Sequence, residues 1–301
     1  MAWMFPGQAS QYPNMLRELY EKYTCVESLY MQADAFWEAK YGYGITSLIF
    51  GEDEGSLEEV LKNTKNTHPA MFLSNVGMHK LLTESGVKAD YMIGHSLGEM
   101  ACLFASGMLD LNTALNIVGE RGLSFDSIPE QDRGIMLSVN ADSKKVEEII
   151  KEQGFNVSIS NINSPEQTVI GGKFEEIEKV SEYLKEMNIH TRVLNVSHGF
   201  HTPLMNDASE RFYDKIKNYH FQAPKEKVVA CHTGDFYPDT EEGLKDVPDI
   251  LKEQIVSKVN FKDAILSLYH KGVRVFIESG PSTVLTNLVK SILPYPLYPQ
   301  R

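Results

Sequence analysis

Residues 94–98 read Gly-His-Ser-Leu-Gly, the G-x-S-x-G spacing of a nucleophile elbow. Small residues two before and two after the serine let the backbone turn sharply from strand into helix, so that the Ser96 hydroxyl stands at the tip. The flanks suit such a turn. Tyr91-Met92-Ile93 is a short apolar run fit for a buried strand, and Glu99 to Ser106 can form a helix that Gly107 stops. A helix beginning there aims backbone N–H groups at the place where an oxyanion would form. An ordinary strand–turn–helix with an incidental serine contains the same five residues, and the pentapeptide does not separate the two readings.

A serine hydroxyl is a weak nucleophile and needs an adjacent base. The chain has 9 histidines. Two stand together in His198-Gly199-Phe200-His201, and pattern alone prefers neither. No histidine, cysteine or carboxylate cluster has ligand spacing, so no metal is expected.

These residues need a scaffold, and the chain alternates in the manner of a parallel α/β sheet. "MAWMF" reads as a first strand broken by Pro6-Gly7. Helical patterns follow around 14–23 and 25–41, and "HPAMFLSNVGMHKLLTESG" (68–86) reads as a helix with Pro69 in its first turn. The middle differs. Strand 135–140, helix 142–154, strands 156–162 and 167–172, helix 173–188 and strand 190–196 give the order βαββαβ, the ferredoxin-like unit. Strand-like "KVVACHTG" (227–234) and "GVRVFIESGPSTVL" (272–285) then resume the earlier style. The expected organisation is a large α/β hydrolase-like body from 1–131 and 199–301, with a ferredoxin-like subdomain, 132–198, inserted. The cleft between two such bodies is a natural ligand site.

Bulk properties narrow the function classes. The chain has 301 residues, 42% hydrophobic and 23% charged, with 29 Lys+Arg against 41 Asp+Glu and a net charge of −12. Such a surface suits neither nucleic acid nor membrane adsorption. No run of about eighteen apolar residues suggests a spanning helix. The opening "MAWMFPGQAS" lacks a basic region followed by an apolar stretch, so no secretion signal is expected. Cys25, Cys102 and Cys231 are odd in number and far apart, which fits a reducing cytoplasm better than a disulfide framework.

Six stretches in chain order resemble one family, the malonyl-CoA:acyl-carrier-protein transacylases together with the acyltransferases of polyketide assembly lines. "FPGQASQYPNM" (5–15) is similar to the family's opening F-P-G-Q-G-S-Q, and "GHSLGE" (94–99) to its nucleophile motif. "ERG" (120–122) matches the arginine block, and "NINSP" (161–165) a turn in the small domain. "VSHGFHTPLM" (196–205) resembles the histidine motif, and "ESGPSTVL" (278–285) the C-terminal glycine-proline turn.

The resemblance implies roles. Ser96 would be acylated, with His201 as its base and His198 as the weaker candidate. The family orients that histidine with carbonyl oxygens, often from a region resembling "VSKVNF" (256–261), where Asn260 aligns with a residue supplying a side-chain amide. The backbone N–H groups of Gln8 and Leu97 would form the oxyanion hole. Arg121, with a planar guanidinium suited to a two-pronged bond, would pair with the free carboxylate of malonyl; its plainer reading is a surface arginine beside Glu120 on a helix. Phe200, Phe125 and His68 would line the acyl pocket. The implied reaction moves malonyl from malonyl-CoA to the phosphopantetheine thiol of an acyl carrier protein, in polyketide biosynthesis, with no permanently bound cofactor.

Three departures bear on the substrate. Ala9 replaces the glycine of G-Q-G-S-Q, a strained exchange if that position has positive φ. His68 stands in place of a common glutamine. Phe125-Asp126 replaces Met-Gln, and a carboxylate facing the pocket would oppose malonate. The rival readings are an editing thioesterase for acyl carrier proteins on the same scaffold, transfer of an unusual extender unit, an unrelated esterase, and a non-catalytic carrier-docking module. Phe200 in H-x-F-H resembles the malonyl-selective pattern rather than the branched-extender Y-A-S-H.

Overall fold

The computed structural model describes residues 1–293. Its fold is mixed α/β, with one parallel and one separate antiparallel sheet. The parallel sheet contains β1 (Ala2–Phe5), β2 (Tyr91–Gly94), β7 (Lys227–Val229) and β8 (Phe276–Glu278), in the order β7-β2-β1-β8. The short apolar runs are explained by helices covering both faces. Side chains alternate between two cores. Trp3, Phe5, Met92 and Val228 enter one, and Ala2, Met4, Ile93 and Val229 the other.

The second sheet contains β3 (Ile135–Val139), β4 (Val157–Ser164), β5 (Gln167–Gly172) and β6 (Thr191–Val193), in the order β4-β5-β3-β6 with every pair antiparallel. Leu137, Val139 and Ile170 pack against Val146 and Ile149 of the helix Ser143–Gln153 and Ile177, Val180 and Leu184 of the helix Phe174–Glu186. The opposite face sends Met136 and Val169 toward the large core. β4 is also tied to the body at one point. Ile162 N–H donates to the Val259 carbonyl (2.8 Å), and Val259 N–H donates to that of Ser160 (2.8 Å).

Several boundaries differ from the sequence reading: the strand expected at 190–196 pairs only over Thr191–Val193, and the helix around 14–23 spans Arg17–Lys22. The helix expected at 68–86 spans Thr64–Glu84, because Asn63 caps it by accepting from Lys65 N–H (3.1 Å); Pro69 therefore lies inside it, beyond the first turn. The strand expected at 227–234 ends at Val229, where the chain turns back and Gly234 N–H donates to the Ala230 carbonyl (2.8 Å). In the run 272–285 only Phe276–Glu278 pairs as strand.

Candidate active site

The elbow forms where β2 gives way to the helix Gly98–Ala105. A side chain on Gly94 would collide with the Glu99 backbone, and one on Gly98 with the Phe5 carbonyl, so the spacing demands glycine at both. Ser96 sits at φ 52°, in the left-handed region. That conformation is costly for a non-glycine residue and persists only when the surroundings enforce it.

The structure brings His201 to Ser96, with Oγ 2.7 Å from Nε2. His201 also has positive φ, 59°. Its Nδ1 lies 2.9 Å from the Gln254 carbonyl and 3.0 Å from that of Ser257. Carbonyls only accept, so the ring proton belongs on Nδ1 and Nε2 is left bare to receive the Ser96 proton. Burial, then the neighbouring charges of Arg121 and His95, push the His201 pKa down to about 3, against the bonds to the two carbonyls. The arrangement can pass a proton from serine to a neutral imidazole and back.

Asn260 does not orient this ring. Its amide nitrogen donates to Asp263 Oδ2 (3.0 Å), and its Oδ1 is buried without a partner among the described residues. The two carbonyls already saturate Nδ1. His198 stands apart from Ser96. Its Nε2 donates to the Phe125 carbonyl (3.0 Å), and its Nδ1 accepts from Ser197 Oγ (2.8 Å).

Gln8 and Leu97 line the same cavity as Ser96 and His201, a space of about 210 Å³ reaching along the small sheet past Asn161 and Arg192. Among the described residues neither of their backbone N–H groups donates a hydrogen bond. Ala9, next to Gln8, has φ 82°, the strained exchange its sequence position raised; its N–H donates to Gln11 Oε1 (2.7 Å).

Arg121 is 2% exposed. The helix Leu111–Asp126, capped by Asp110 accepting from Thr113 N–H (2.9 Å), carries it to the cavity wall. Its neighbour Glu120 turns outward to Lys40 (3.2 Å), so the surface-pair reading fails. Nη1 donates to His68 Nε2 (3.1 Å) and Nη2 to Gln254 Oε1 (3.1 Å). Burial lowers the Arg121 pKa to about 10, with Glu99 the leading opposing influence, and it stays charged at neutral pH. No carboxylate bonds it directly among the described residues.

Phe200 and His68 line the cavity, whereas Phe125 does not. It lies behind, 1% exposed, edge-on to Phe200 with ring centroids 4.9 Å apart and beneath the guanidinium at 5.2 Å. A position one helical turn from Arg121 shares its face, but here Phe200 stands in front. Asp126 turns away to Lys65 (3.2 Å) and leaves the pocket free of that charge.

Sequence reasoning missed Gln254 and Glu99. Gln254 is wholly buried, and its Nε2 donates to the Ser96 carbonyl (2.8 Å) and Glu99 Oε2 (3.4 Å). Glu99, also wholly buried, accepts from Cys231 N–H (3.0 Å) and the Tyr237 hydroxyl. One signal was available. Gln254 falls in the apolar stripe Val247, Leu251, Ile255 of its helix, where a polar side chain needs a partner.

A strained serine at a strand–helix elbow, a neutral imidazole on its hydroxyl and a buried cation on the same cavity are the parts of an acyl-transfer site. The family profile described as "Acyl transferase domain" matches residues 2–294, and the chain belongs to this family. The malonyl CoA-acyl carrier protein transacylase of Bacillus subtilis (strain 168) is 35% identical over 297 residues, 97% of this chain and 90% of that protein. The polyketide biosynthesis malonyl CoA-acyl carrier protein transacylase BaeC of Bacillus velezensis is 32% identical over 298 residues, 97% and 96% of the two chains. Among solved structures, a malonyl-transacylase in complex with a type II polyketide acyl-carrier protein is similar at TM-score 0.88 and 30% identity, covering 97% of this chain and 92% of that one.

Proposed function

We propose that this protein moves malonyl from malonyl-CoA to the phosphopantetheine thiol of an acyl carrier protein through a Ser96 ester. The observation that carries the reading is Arg121: a buried guanidinium with no bonded carboxylate among the described residues, on the cavity that Ser96 and His201 share. A malonyl carboxylate would give the guanidinium a directly bonded partner in addition to the unbonded charge of Glu99, whereas an uncharged acyl group would not.

The steps follow from the proton positions. Ser96 Oγ attacks the thioester carbonyl while His201 Nε2 takes its proton. The oxyanion accepts from the N–H groups of Gln8 and Leu97, the kind of donor whose loss costs about 2.7–4 kcal/mol elsewhere. Collapse expels the coenzyme A thiolate, which takes the proton from His201. The carrier thiol then attacks the acyl-serine ester, His201 accepts its proton, and the proton returns to Ser96 Oγ as the serine leaves.

A malonyl CoA-acyl carrier protein transacylase and a polyketide biosynthesis malonyl CoA-acyl carrier protein transacylase among the relatives support this substrate class, and a polyketide setting accords with the second. The names of these relatives do not favour the hydrolase alternative. The strand order β4-β5-β3-β6 supports reading 132–198 as a ferredoxin-like unit set into an α/β hydrolase-like body of 1–131 and 199–301, of which 294–301 lie outside the described residues. Three free thiols suit a reducing, cytoplasmic setting. No group of three or more metal-ligating side chains is assembled among the described residues.

The test is transfer itself. With malonyl-CoA and a phosphopantetheinylated carrier protein, the expected product is malonyl-carrier by intact mass. Release of free malonate with the carrier left unloaded would instead favour an editing hydrolase.

A further inference from the structure

Arg121 is held from two sides, and one holder is a departure from the family pattern. His68 Nε2 lies 3.1 Å from Arg121 Nη1. A guanidinium only donates, so Nε2 must be the bare nitrogen and the ring proton must sit on Nδ1. That Nδ1 is buried without a hydrogen-bond partner among the described residues, in a residue only 1% exposed. The ring thus leaves its own N–H unpaired in order to accept from the arginine. Phe125 fixes both groups, standing edge-on to the imidazole (5.7 Å, 88°) and under the guanidinium (5.2 Å). At the other side Gln254 Oε1 accepts from Nη2 (3.1 Å). Both holders are neutral acceptors, so they orient the cation without cancelling its charge.

We propose that His68 is a positioning residue, a neutral acceptor locked in the Nδ1–H tautomer, which aims the Arg121 fork and so sets the preference for acyl groups bearing a free carboxylate. This rests on the malonyl-transfer reading above. Neutrality is essential to it, because an imidazolium would repel the guanidinium. Burial, then the charge of Arg121 and the neighbouring His198, hold His68 well below its ordinary pKa. Glutamine at this position offers an amide oxygen for the same bond, whereas leucine offers none.

Two readouts test it. Side-chain ¹⁵N–¹H spectra of the unliganded wild type, with the His68 signals assigned by comparison with His68→Gln, should show Nδ1–H at neutral pH. An Nε2–H tautomer, or an imidazolium, overturns the proposal. Competition between malonyl-CoA and acetyl-CoA for acyl-enzyme formation gives the second. His68→Leu should lower the malonyl-to-acetyl ratio about 10- to 150-fold, the loss expected for one hydrogen bond to a charged group, and His68→Gln should restore most of it. An equal fall for both thioesters in His68→Leu marks a merely structural role and overturns the proposal. The tautomer measurement needs no substrate, and His68→Gln serves in it only for assignment, so its failure is distinct from a failure of malonyl transfer.

Discussion

The backbone carbonyl of Gln254 lies 2.9 Å from His201 Nδ1, while the side chain of the same residue donates to the Ser96 carbonyl (2.8 Å) and accepts from Arg121 (3.1 Å). One residue therefore fixes the tautomer of His201, steadies the elbow and braces the cation. Its amide cannot be reversed without loss. Glu99 and the Ser96 carbonyl only accept, and Arg121 only donates, so each end of the amide has one permitted partner.

Gln254→Leu keeps the backbone carbonyl and removes the amide. Glu99 and Arg121 each lose a hydrogen bond, at about 1.5–3 kcal/mol apiece for bonds to charged groups. The thermal midpoint should fall, and malonyl loading should fall further than acetyl loading. An unchanged midpoint with both loadings abolished would instead place the side chain in the chemistry itself.

Arg121→Ala should weaken malonyl far more than acetyl. A buried carboxylate left without its partner costs about 3–5 kcal/mol, and acetyl carries no such group. Loading rates for the two thioesters check this. Equal losses would make Arg121 structural.

Phe200 faces the cavity and Phe125 supports it from behind, with the rings 4.9 Å apart. Malonyl-CoA should therefore be preferred over methylmalonyl-CoA by about 10–200-fold, the usual worth of one methylene in an apolar pocket. Phe200→Ser should relax that preference directly. Phe125→Ala should relax it less and lower stability more, because it removes packing beneath both Phe200 and Arg121. Competition scored by acyl-enzyme mass gives the ratios, and unchanged selectivity in Phe200→Ser would remove Phe200 from the pocket wall.

Stability should fall with acid well before the carboxylates titrate. Burial lowers the pKa of His79 and His198 to about 4 and of His201 to about 3, and takes His68 in the same direction. In the unfolded chain these groups bind protons near pH 6.5. The unfolded state thus holds more protons below that pH, and stability rises with pH there. The contribution is fully present above about pH 6.5 and is lost as pH falls toward the folded values, on the order of 1–2 kcal/mol per histidine by pH 5. Thermal midpoints measured from pH 7.5 to 5 should drop steeply; a flat profile would mean that the imidazoles are hydrated.

Much of this site was legible because its signals are local. The elbow needs glycine at 94 and 98 for steric reasons that act within a few residues, and the strand faces of β1 and β2 follow from alternation. What the sequence hid are contacts made across the fold. The Ser257 carbonyl on His201 falls in the stretch 256–261 that the family resemblance pointed to. The Gln254 carbonyl lies outside it and leaves no residue-type signature, and the polar Asn260 nearby turns to Asp263 instead. Phe125 has the right helical spacing from Arg121 yet stands in the second layer, because Phe200 arrives from a loop that spacing cannot place.

The central claim is a malonyl ester on Ser96, and mixing the enzyme with malonyl-CoA in the absence of any carrier protein tests it most directly. Intact mass followed by peptide mapping should find one malonyl group, on the peptide containing residues 94–99, and none after Ser96→Ala. An adduct on another residue, or malonyl transfer persisting in Ser96→Ala, would contradict the account.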